Sequence, residues 1–308
     1  MNQTATQKVE IRRGDPALDA IVPADAELER IATGHGFTEG PIYMREGYLL
    51  YSDIPNNTIY KWTPDGQVSE FMKPCGFDGT DFPQGAFIGS NGLTVDSEGR
   101  LVICEHGNGR VTRLEKNGKK TVLAAQYEGK RLNSPNDVVF KSDGAIYFSD
   151  PPYGFVQQDE DPKKELDYNG LFRLADGRLQ LLTKELSRPN GLAFSPDEKY
   201  LYVSNSDPKR KIWLRYEVQA DGSIRNGKVF LDVTGPEQGN PDGLKIDKRG
   251  NLYCAGPAGV YIVTPDLQHI GTIPLPEIPS NCHWGKHTDS KASAELKPGE
   301  EARTLYIS

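Results

Sequence analysis

Six residues with oxygen-bearing side chains recur at the same position of a repeated sequence pattern. In each repeat a polar residue, usually followed by Gly, precedes an alternating apolar run and an Asp-rich turn, as in residues 188–197 (RPNGLAFSPD). The six polar residues are Glu39, Asn91, Asn136, Asn190, Asp242 and Asn281. Carboxylate and amide oxygens, without nitrogen or sulfur donors, are the ligands that a hard cation such as Ca²⁺ prefers. These residues could therefore hold a metal ion, provided that the fold brings them together.

The spacing of the repeats predicts the fold that would do so. An interval of about 40–50 residues, with several short strands in each repeat, is typical of a β-propeller. Six repeats predict an all-β, six-bladed β-propeller with a central channel. Because the innermost strand of every blade lines the channel, the six polar residues should form a ring around one axis at its mouth.

The repeats run without interruption, which favours one large domain over two in a chain of 308 residues. We predict an N-terminal extension over residues 1–26 and a single six-bladed propeller domain over residues 27–308. Residues 27–32 are predicted to form a strand that completes the last blade. The sixth repeat is abnormal, since only residues 281–284 and 303–308 are strand-like and a polar insert of about residues 285–302 separates them. Either the N-terminal segment supplies more than one strand to this blade, or the sequence is shorter than its relatives.

Composition excludes several classes of partner. The net charge of −7 argues against nucleic acid, which requires a basic surface. No stretch of 18 or more apolar residues is present, so no membrane span is predicted. The first residues lack the apolar core of a secretion signal, and we expect a cytoplasmic location unless a leader has been removed. The four cysteines, which are far apart, are expected to be buried thiols: Cys75, Cys104, Cys254 and Cys282. The oligomeric state stays open.

Two of the six ring residues are carboxylates, and this makes a metal ion the favoured interpretation. Glu39 and Asp242 would face the interior of the channel, where clustered acids are tolerated only beside a cation. Asn91 and Asn281 are open to a second interpretation, because Asn is also common in turns that need a left-handed backbone.

Two further residues are candidates for contact with a substrate. His106 ends a second strand next to Glu105 and either faces the mouth of the channel or is an ordinary buried histidine. Tyr153 follows Asp150 and two prolines, and it could form one wall of a substrate site. Long loops at residues 76–87 and 157–168 could cover the mouth, as loops over binding sites often do.

Several short motifs occur together and in order, which is more specific than any one of them. They are residues 38–41 (TEGP), 52–55 (SDIP), 99–101 (GRL), 104–106 (CEH), 133–139 (NSPNDVV), 147–154 (YFSDPPYG), 188–197 (RPNGLAFSPD) and 241–243 (PDG). On these motifs the chain resembles the gluconolactonase and regucalcin (senescence marker protein) family of calcium-dependent, six-bladed lactonases. The resemblance is to the microbial gluconolactonase branch in particular, and it covers about residues 37–308.

The resemblance implies a ligand set within the predicted ring. The metal ligands would be Glu39, Asn136, Asn190 and Asp242, with Asn136 either a ligand or a substrate contact. The repeat pattern and the resemblance therefore select the same four residues by separate arguments. Asn91 is in the ring but outside the ligand set, and we expect it, with His106, Tyr153 and Asn136, to contact the substrate.

Two positions depart from the pattern of related families. Regucalcins have an Arg two positions before the residue that matches Asn136, whereas this chain has Ser134. The related diisopropylfluorophosphatases hold a second, structural calcium with an aspartate where this chain has Lys245. The resemblance therefore implies neither the sugar-binding arginine nor the second metal.

The implied activity is metal-dependent hydrolysis of a sugar lactone, with D-glucono-1,5-lactone as the first candidate. Ca²⁺ is the expected cofactor, while Zn²⁺, Mn²⁺ and Mg²⁺ are alternatives. Asp242 is the candidate general base for the attacking water, because Ca²⁺ acidifies water poorly and a carboxylate can accept the proton. An alternative is that Asp242 is only a ligand. The competing functions are phosphotriester hydrolysis at the same metal site and a non-enzymatic binding platform.

Overall fold

The computed structural model describes residues 5–83, 85–286 and 304–308, and this part of the chain is almost entirely β-structure. It contains 27 strands and two short 3₁₀ helices, Pro16–Ala20 and Gln158–Glu160. Most strands form antiparallel four-stranded sheets whose strands follow one another in chain order. The predicted all-β propeller is confirmed. The described helices are neither long nor apolar enough to cross a membrane.

The first three blades are meanders of four strands, with the first strand of each on the channel. The first blade has β4 (Thr38–Tyr43), β5 (Leu49–Asp53), β6 (Thr58–Trp62) and β7 (Val68–Met72). The second has β8 (Ser90–Val95), β9 (Leu101–Glu105), β10 (Arg110–Leu114) and β11 (Lys120–Ala124). A small hairpin, β12 (Gln126–Tyr127) and β13 (Lys130–Arg131), precedes the third, which has β14 (Val138–Phe140), β15 (Ile146–Asp150), β16 (Gly170–Ala175) and β17 (Arg178–Thr183).

The next two blades repeat this plan, and the outer strands of the fourth are longer. The fourth has β18 (Pro189–Phe194), β19 (Tyr200–Asp207), β20 (Arg210–Val218) and β21 (Ile224–Asp232). The fifth has β22 (Leu244–Ile246), β23 (Leu252–Gly256), β24 (Gly259–Val263) and β25 (His269–Ile273).

The core lies between the blades. Each gap between neighbouring sheets holds its own apolar cluster, such as Tyr147 and Leu171 of the third blade against Phe194 and Leu201 of the fourth. The four cysteines are free and buried in this core, as predicted. Because an apolar cluster fills each gap between neighbouring blades, side-chain packing fixes the angle between the blades and therefore the width of the channel.

The glycine that follows four of the six ring residues has a steric function. A Cβ placed on Gly40, Gly92, Gly191 or Gly243 would lie within 3.0 Å of the ring residue, or of its neighbour, in the next blade. Gly92 also donates its backbone N–H to the Asn136 carbonyl at 2.7 Å. Only glycine permits so close an approach of two inner strands. The repeated Gly therefore allows the ring residues of neighbouring blades to lie close together.

A two-stranded sheet occupies the sixth position. It pairs β26 (Cys282–Gly285) with β27 (Thr304–Ile307) and joins the fifth blade to the first. Gly243 donates its backbone N–H to the Ser280 carbonyl at 2.7 Å, and the Ser280 hydroxyl donates to the Thr38 carbonyl at 2.7 Å. The described residues thus show five blades of four or more strands rather than the six predicted. Most of the predicted polar insert lies outside the described residues.

Residues 27–32 were predicted to form a strand of the last blade, and the predicted pairing is wrong. They form β3 (Glu27–Arg30), but this strand pairs with β1 (Ala5–Lys8) in a separate sheet and completes no blade. The N-terminal segment instead adds β2 (Arg12–Arg13) to the outer edge of the fifth blade, beside β25. The reason is an anchor next to β2, since the fully buried Leu18 packs in the cluster that the fifth blade shares with β26. The polar ELER sequence of β3 offers no comparable apolar face.

Candidate functional site

The ring predicted from the repeats is present in the fold. Its six members lie at or just before the first residues of the inner strands β4, β8, β14, β18, β22 and β26. Five of them are buried, being 1–4 % exposed, whereas Asp242 is partly exposed. Asn91 lies inside β8 rather than in a turn. Side chains from blades that are distant in sequence therefore converge at one end of the channel.

The two carboxyl groups of the ring are neighbours. The pKa of Glu39 is raised to about 7, first by burial and then by the charge of Asp137, while Asn281, Gly40 and Lys245 act in the opposite direction. Burial also raises the pKa of Asp242 well above its ordinary value, followed by the charge of Glu39 and a hydrogen bond to it. Two acids this close, one of them fully buried, cannot both ionise without a compensating cation.

Four ring side chains have an oxygen that is buried and has no hydrogen-bond partner in the described structure. These oxygens are Oδ1 of Asn91, Asn136, Asn190 and Asp242. The amide nitrogens are directed elsewhere, since Asn190 Nδ2 donates to Ser206 Oγ at 2.9 Å and Asn136 Nδ2 lies 3.5 Å from His106 Nε2. Each unsatisfied buried acceptor costs about 1–3 kcal/mol. A set of oxygens without competing donors fits a hard divalent cation.

The donor set does not resemble a site built from acids, histidines or thiols alone. Over residues 5–83, 85–286 and 304–308, no group of three or more His, Cys, Asp or Glu side chains is arranged to hold a metal. The ring instead combines two carboxylates with asparagine amides. This composition suits a cation that accepts neutral oxygen ligands, and it disfavours a softer metal that selects imidazole or thiolate.

His106 and Tyr153, the two predicted substrate contacts outside the ring, both lie beside ring residues. His106 is fully buried, and burial lowers its pKa to about 3, so the imidazole is neutral. Tyr153 is half-buried, and its hydroxyl lies beside Ser206 and Asn190 and faces Asp242. His106 therefore borders Asn136, while Tyr153 borders the partly exposed acid at the mouth.

Ser134 has a structural function that explains how Tyr153 is placed. Its hydroxyl donates to the Pro151 carbonyl at 2.6 Å and accepts the backbone N–H of Gly154 at 2.8 Å. These two bonds fix the loop that carries Tyr153 against the third blade. The small hydroxyl of Ser134 thus holds in place the loop that carries Tyr153.

Sequence reasoning missed one acidic residue of the channel. Asp137 is buried, and its Oδ2 lies 3.7 Å from Lys245 Nζ. A signal was available, because Asn136 is followed by Asp where four other ring residues are followed by Gly. Ser206, which accepts from Asn190, carries no comparable signal because it lies on β19, away from the repeated motif.

A cavity of about 560 Å³ lies beside the ring. Its lining includes Thr38 and Ser280, which directly precede Glu39 and Asn281, together with His35 and Phe37. The six ring residues themselves do not line it. Its volume is in the range of small-molecule sites, but the acids and the unpartnered oxygens are in the channel.

The raised pKa of Glu39 predicts how the metal-free protein responds to pH. Because the pKa in the fold is about 7 and the ordinary value is 4.5, the folded state binds this proton more tightly than the unfolded chain. The stabilisation is complete below about pH 4.5 and is lost as pH rises through about 7. We expect the stability of wild type relative to Glu39→Gln to fall over this pH range, as measured by urea unfolding in EDTA. A difference that does not vary with pH would contradict it.

Comparison with known proteins identifies the family. The family model described as the SMP-30/Gluconolactonase/LRE-like region matches residues 37–292. The chain belongs to this family. The resemblance predicted from the short motifs is thus confirmed, and the matched region contains all six ring residues.

Other members of the SMP-30/gluconolactonase family are similar over most of their length. A gluconolactonase of Zymomonas mobilis is 41 % identical over 317 residues, covering 97 % of this chain and 83 % of that protein. A solved gluconolactonase structure from Xanthomonas campestris is 34 % identical with a TM-score of 0.78, covering 91 % of each chain. A calcium-binding regucalcin from Agrobacterium tumefaciens shares the fold at 20 % identity, with a TM-score of 0.64 and coverage of 82 % and 79 %.

Proposed function

We propose that this chain is a metal-dependent lactonase that hydrolyses a sugar lactone, with D-glucono-1,5-lactone as the first substrate to test. The observation that carries the proposal is the ring, where two neighbouring carboxyl groups and unpartnered buried oxygens converge. The 41 % identity to a protein named gluconolactonase supports the same reaction. A binding platform would not require this costly arrangement of buried acids.

We infer that the ring holds a divalent cation, most readily Ca²⁺, through Glu39, Asn136, Asn190 and Asp242. Three of these four residues have an unpartnered Oδ1, and Glu39 contributes charge. The calcium-binding regucalcin with the same fold is consistent with this choice of ion. When bound, such an ion would polarise the lactone carbonyl and stabilise the oxyanion. Zn²⁺, Mn²⁺ and Mg²⁺ are alternatives that the experiment below distinguishes.

The residues of the chain itself account for the proton transfers. Asp242, the most accessible ring acid, accepts a proton from the attacking water as the water oxygen bonds to the carbonyl carbon. The ring C–O bond of the lactone then breaks, and the leaving oxygen takes the proton from Asp242 to give the open-chain hydroxy acid. The carboxylate is thereby regenerated, and no other reactant is needed.

His106, Asn91 and Tyr153 are proposed to bind the substrate rather than to transfer protons. The neutral His106 ring next to Asn136 suits hydrogen bonding but not general acid catalysis at neutral pH. Tyr153 keeps its proton because burial raises its pKa, and its hydroxyl beside Asn190 can contact sugar hydroxyl groups. Asn91 Oδ1 offers an acceptor for the same purpose.

We also propose that the sheet of β26 and β27 is a reduced sixth blade, so that the blade strands from β4 to β27 form one six-bladed propeller. The hydrogen bonds of Ser280 to the fifth and first blades support this count. The cytoplasmic location expected from the sequence stays a prediction.

The decisive experiment measures hydrolysis of D-glucono-1,5-lactone by proton release above the spontaneous rate, after treatment with EDTA and after return of each divalent ion. We expect activity to be lost in EDTA and restored by Ca²⁺. Hydrolysis of phosphotriesters with no lactone hydrolysis would favour the alternative enzyme. If neither lactones nor phosphotriesters are hydrolysed with any ion, a non-enzymatic binding platform would be favoured.

A further inference from the structure

Lys245 places a positive charge next to the ring residue Asn281. It lies in β22, three residues after Asp242 in the sequence. Its Nζ lies 3.1 Å from Asn281 Oδ1 and 3.2 Å from the Leu244 carbonyl oxygen, and 3.7 Å from Asp137 Oδ2. The ammonium group is thus surrounded by oxygens from the third and fifth blades and from the segment before β26.

Asn281 differs from the other ring asparagines because its side-chain oxygen accepts hydrogen bonds. Its Oδ1 accepts the backbone N–H of Cys282 at 2.9 Å as well as the ammonium of Lys245. A backbone N–H and an ammonium can only donate, so this atom must be the oxygen and the other terminal atom must be the amide nitrogen. The orientation of the amide is therefore fixed by two independent donors, and its oxygen is not free for a metal.

The fixed amide acts on Glu39. Asn281 Nδ2 donates to Glu39 Oε2 at 3.0 Å, and the same oxygen accepts the backbone N–H of Gly40. Two donors on Oε2 determine how the carboxyl group is turned. The second oxygen, Oε1, is then the atom that this arrangement leaves for a ligand.

We propose that Lys245 and Asn281 form a positioning relay that orients the Glu39 carboxylate for a divalent ion, so that Asn281 is a positioning residue and not a ligand. This inference rests on the proposed metal site. The relay runs from the Lys245 ammonium to Asn281 Oδ1, and from Asn281 Nδ2 to Glu39 Oε2. Partners that orient a metal ligand typically change metal affinity by about 10–100-fold when they are removed.

The test is a double-mutant cycle on Ca²⁺ affinity, measured by isothermal titration calorimetry of Lys245→Met, Asn281→Ala and the double variant. We expect Asn281→Ala to weaken binding about tenfold. Removal of the lysine charge relieves its repulsion of the cation equally in both backgrounds, so this effect cancels in the cycle. The ratio of the Kd of the Lys245→Met variant to the Kd of its parent should therefore be several-fold larger in the wild-type background than in the Asn281→Ala background, because only the amide of Asn281 can transmit the orientation.

The matched control is Asn251→Ala, which removes a buried asparagine of the fifth blade whose amide donates to Asp247 at 2.7 Å. It should lower stability and leave Ca²⁺ affinity unchanged. Unchanged affinity in Asn281→Ala, or equal effects of Lys245→Met in both backgrounds, would overturn the relay.

A different result separates the relay from the proposed function. If the wild type binds no divalent ion, the proposed metal site fails, and the relay is decided by urea unfolding of the metal-free protein. The stability effect of Asn281→Ala must then be coupled to those of Lys245→Met and Glu39→Gln. Additive effects in both cycles would show that no relay exists.

Discussion

Replacement of Asp242 by Asn is expected to lower kcat/KM for lactone hydrolysis by about 10³-fold, within the range for loss of a general base. Asn has nearly the same shape as Asp but cannot accept the proton of the attacking water. We expect a large effect because Asp242 is the more exposed of the two ring acids. The measurement is proton release at constant pH with Ca²⁺ at saturating concentration, so that weaker binding of the ion does not limit the rate.

Two comparisons make this result specific. Asp221→Asn replaces an exposed turn aspartate that accepts from Ser223, and it should leave the rate unchanged. Calorimetric titration of Asp242→Asn with Ca²⁺ separates its two proposed roles. A variant that keeps more than about a tenth of the wild-type rate with the site saturated would show that Asp242 is only a ligand, since a base contributes at least about 10²-fold.

The second large effect concerns Glu39 and the stability of the protein. A ligand that binds only the folded state adds about 2.7 kcal/mol to the free energy of unfolding when its concentration is one hundred times its dissociation constant. For a protein of this size that gain raises Tm by about 5 °C. We expect wild type to show this shift between EDTA and Ca²⁺, and Glu39→Gln to lose most of it. Gln keeps the shape of the side chain but removes the negative charge next to Asp242.

The appropriate control for this experiment is Glu70→Gln, on the exposed outer strand of the same blade. It should retain the full Ca²⁺-dependent rise in Tm, as measured by scanning calorimetry. An equal rise in Glu39→Gln and wild type would place the ion somewhere other than the ring. This test does not depend on the choice of substrate, so it examines the metal site separately from the lactonase activity.

Local pattern was sufficient to predict the strands and the fold class. In the first blade, the apolar and aromatic run at residues 48–52 largely coincides with β5 (Leu49–Asp53), and the run at residues 68–72 is β7 (Val68–Met72). These strands alternate or carry β-branched and aromatic residues, and turns such as the one at Gly118, with φ of 79°, separate them. Such signals depend only on neighbours in the chain, so the strands could be predicted without the tertiary structure.

The choice of strand partners was not predictable in the same way. The strand β3 (Glu27–Arg30) exists nearly where it was expected, but its partner is β1 and not a blade. Strand pairing over long separations depends on which apolar surface each segment can bury, and Leu18 anchors the N-terminal segment against the fifth blade instead. The number of complete blades depends on the same non-local contacts.

For the candidate site, the sequence by itself determined which residues form the ring, because their types recur at one position of the repeat. Only the tertiary structure decided what each side chain can do there. Asn190 and Asn281 are the same residue at equivalent positions, yet Asn190 Oδ1 is unpartnered, whereas Asn281 Oδ1 is occupied by Cys282 and Lys245. The physical reason is that a hydrogen-bonding group is free or occupied according to its neighbours in space, and Lys245 comes from a different blade.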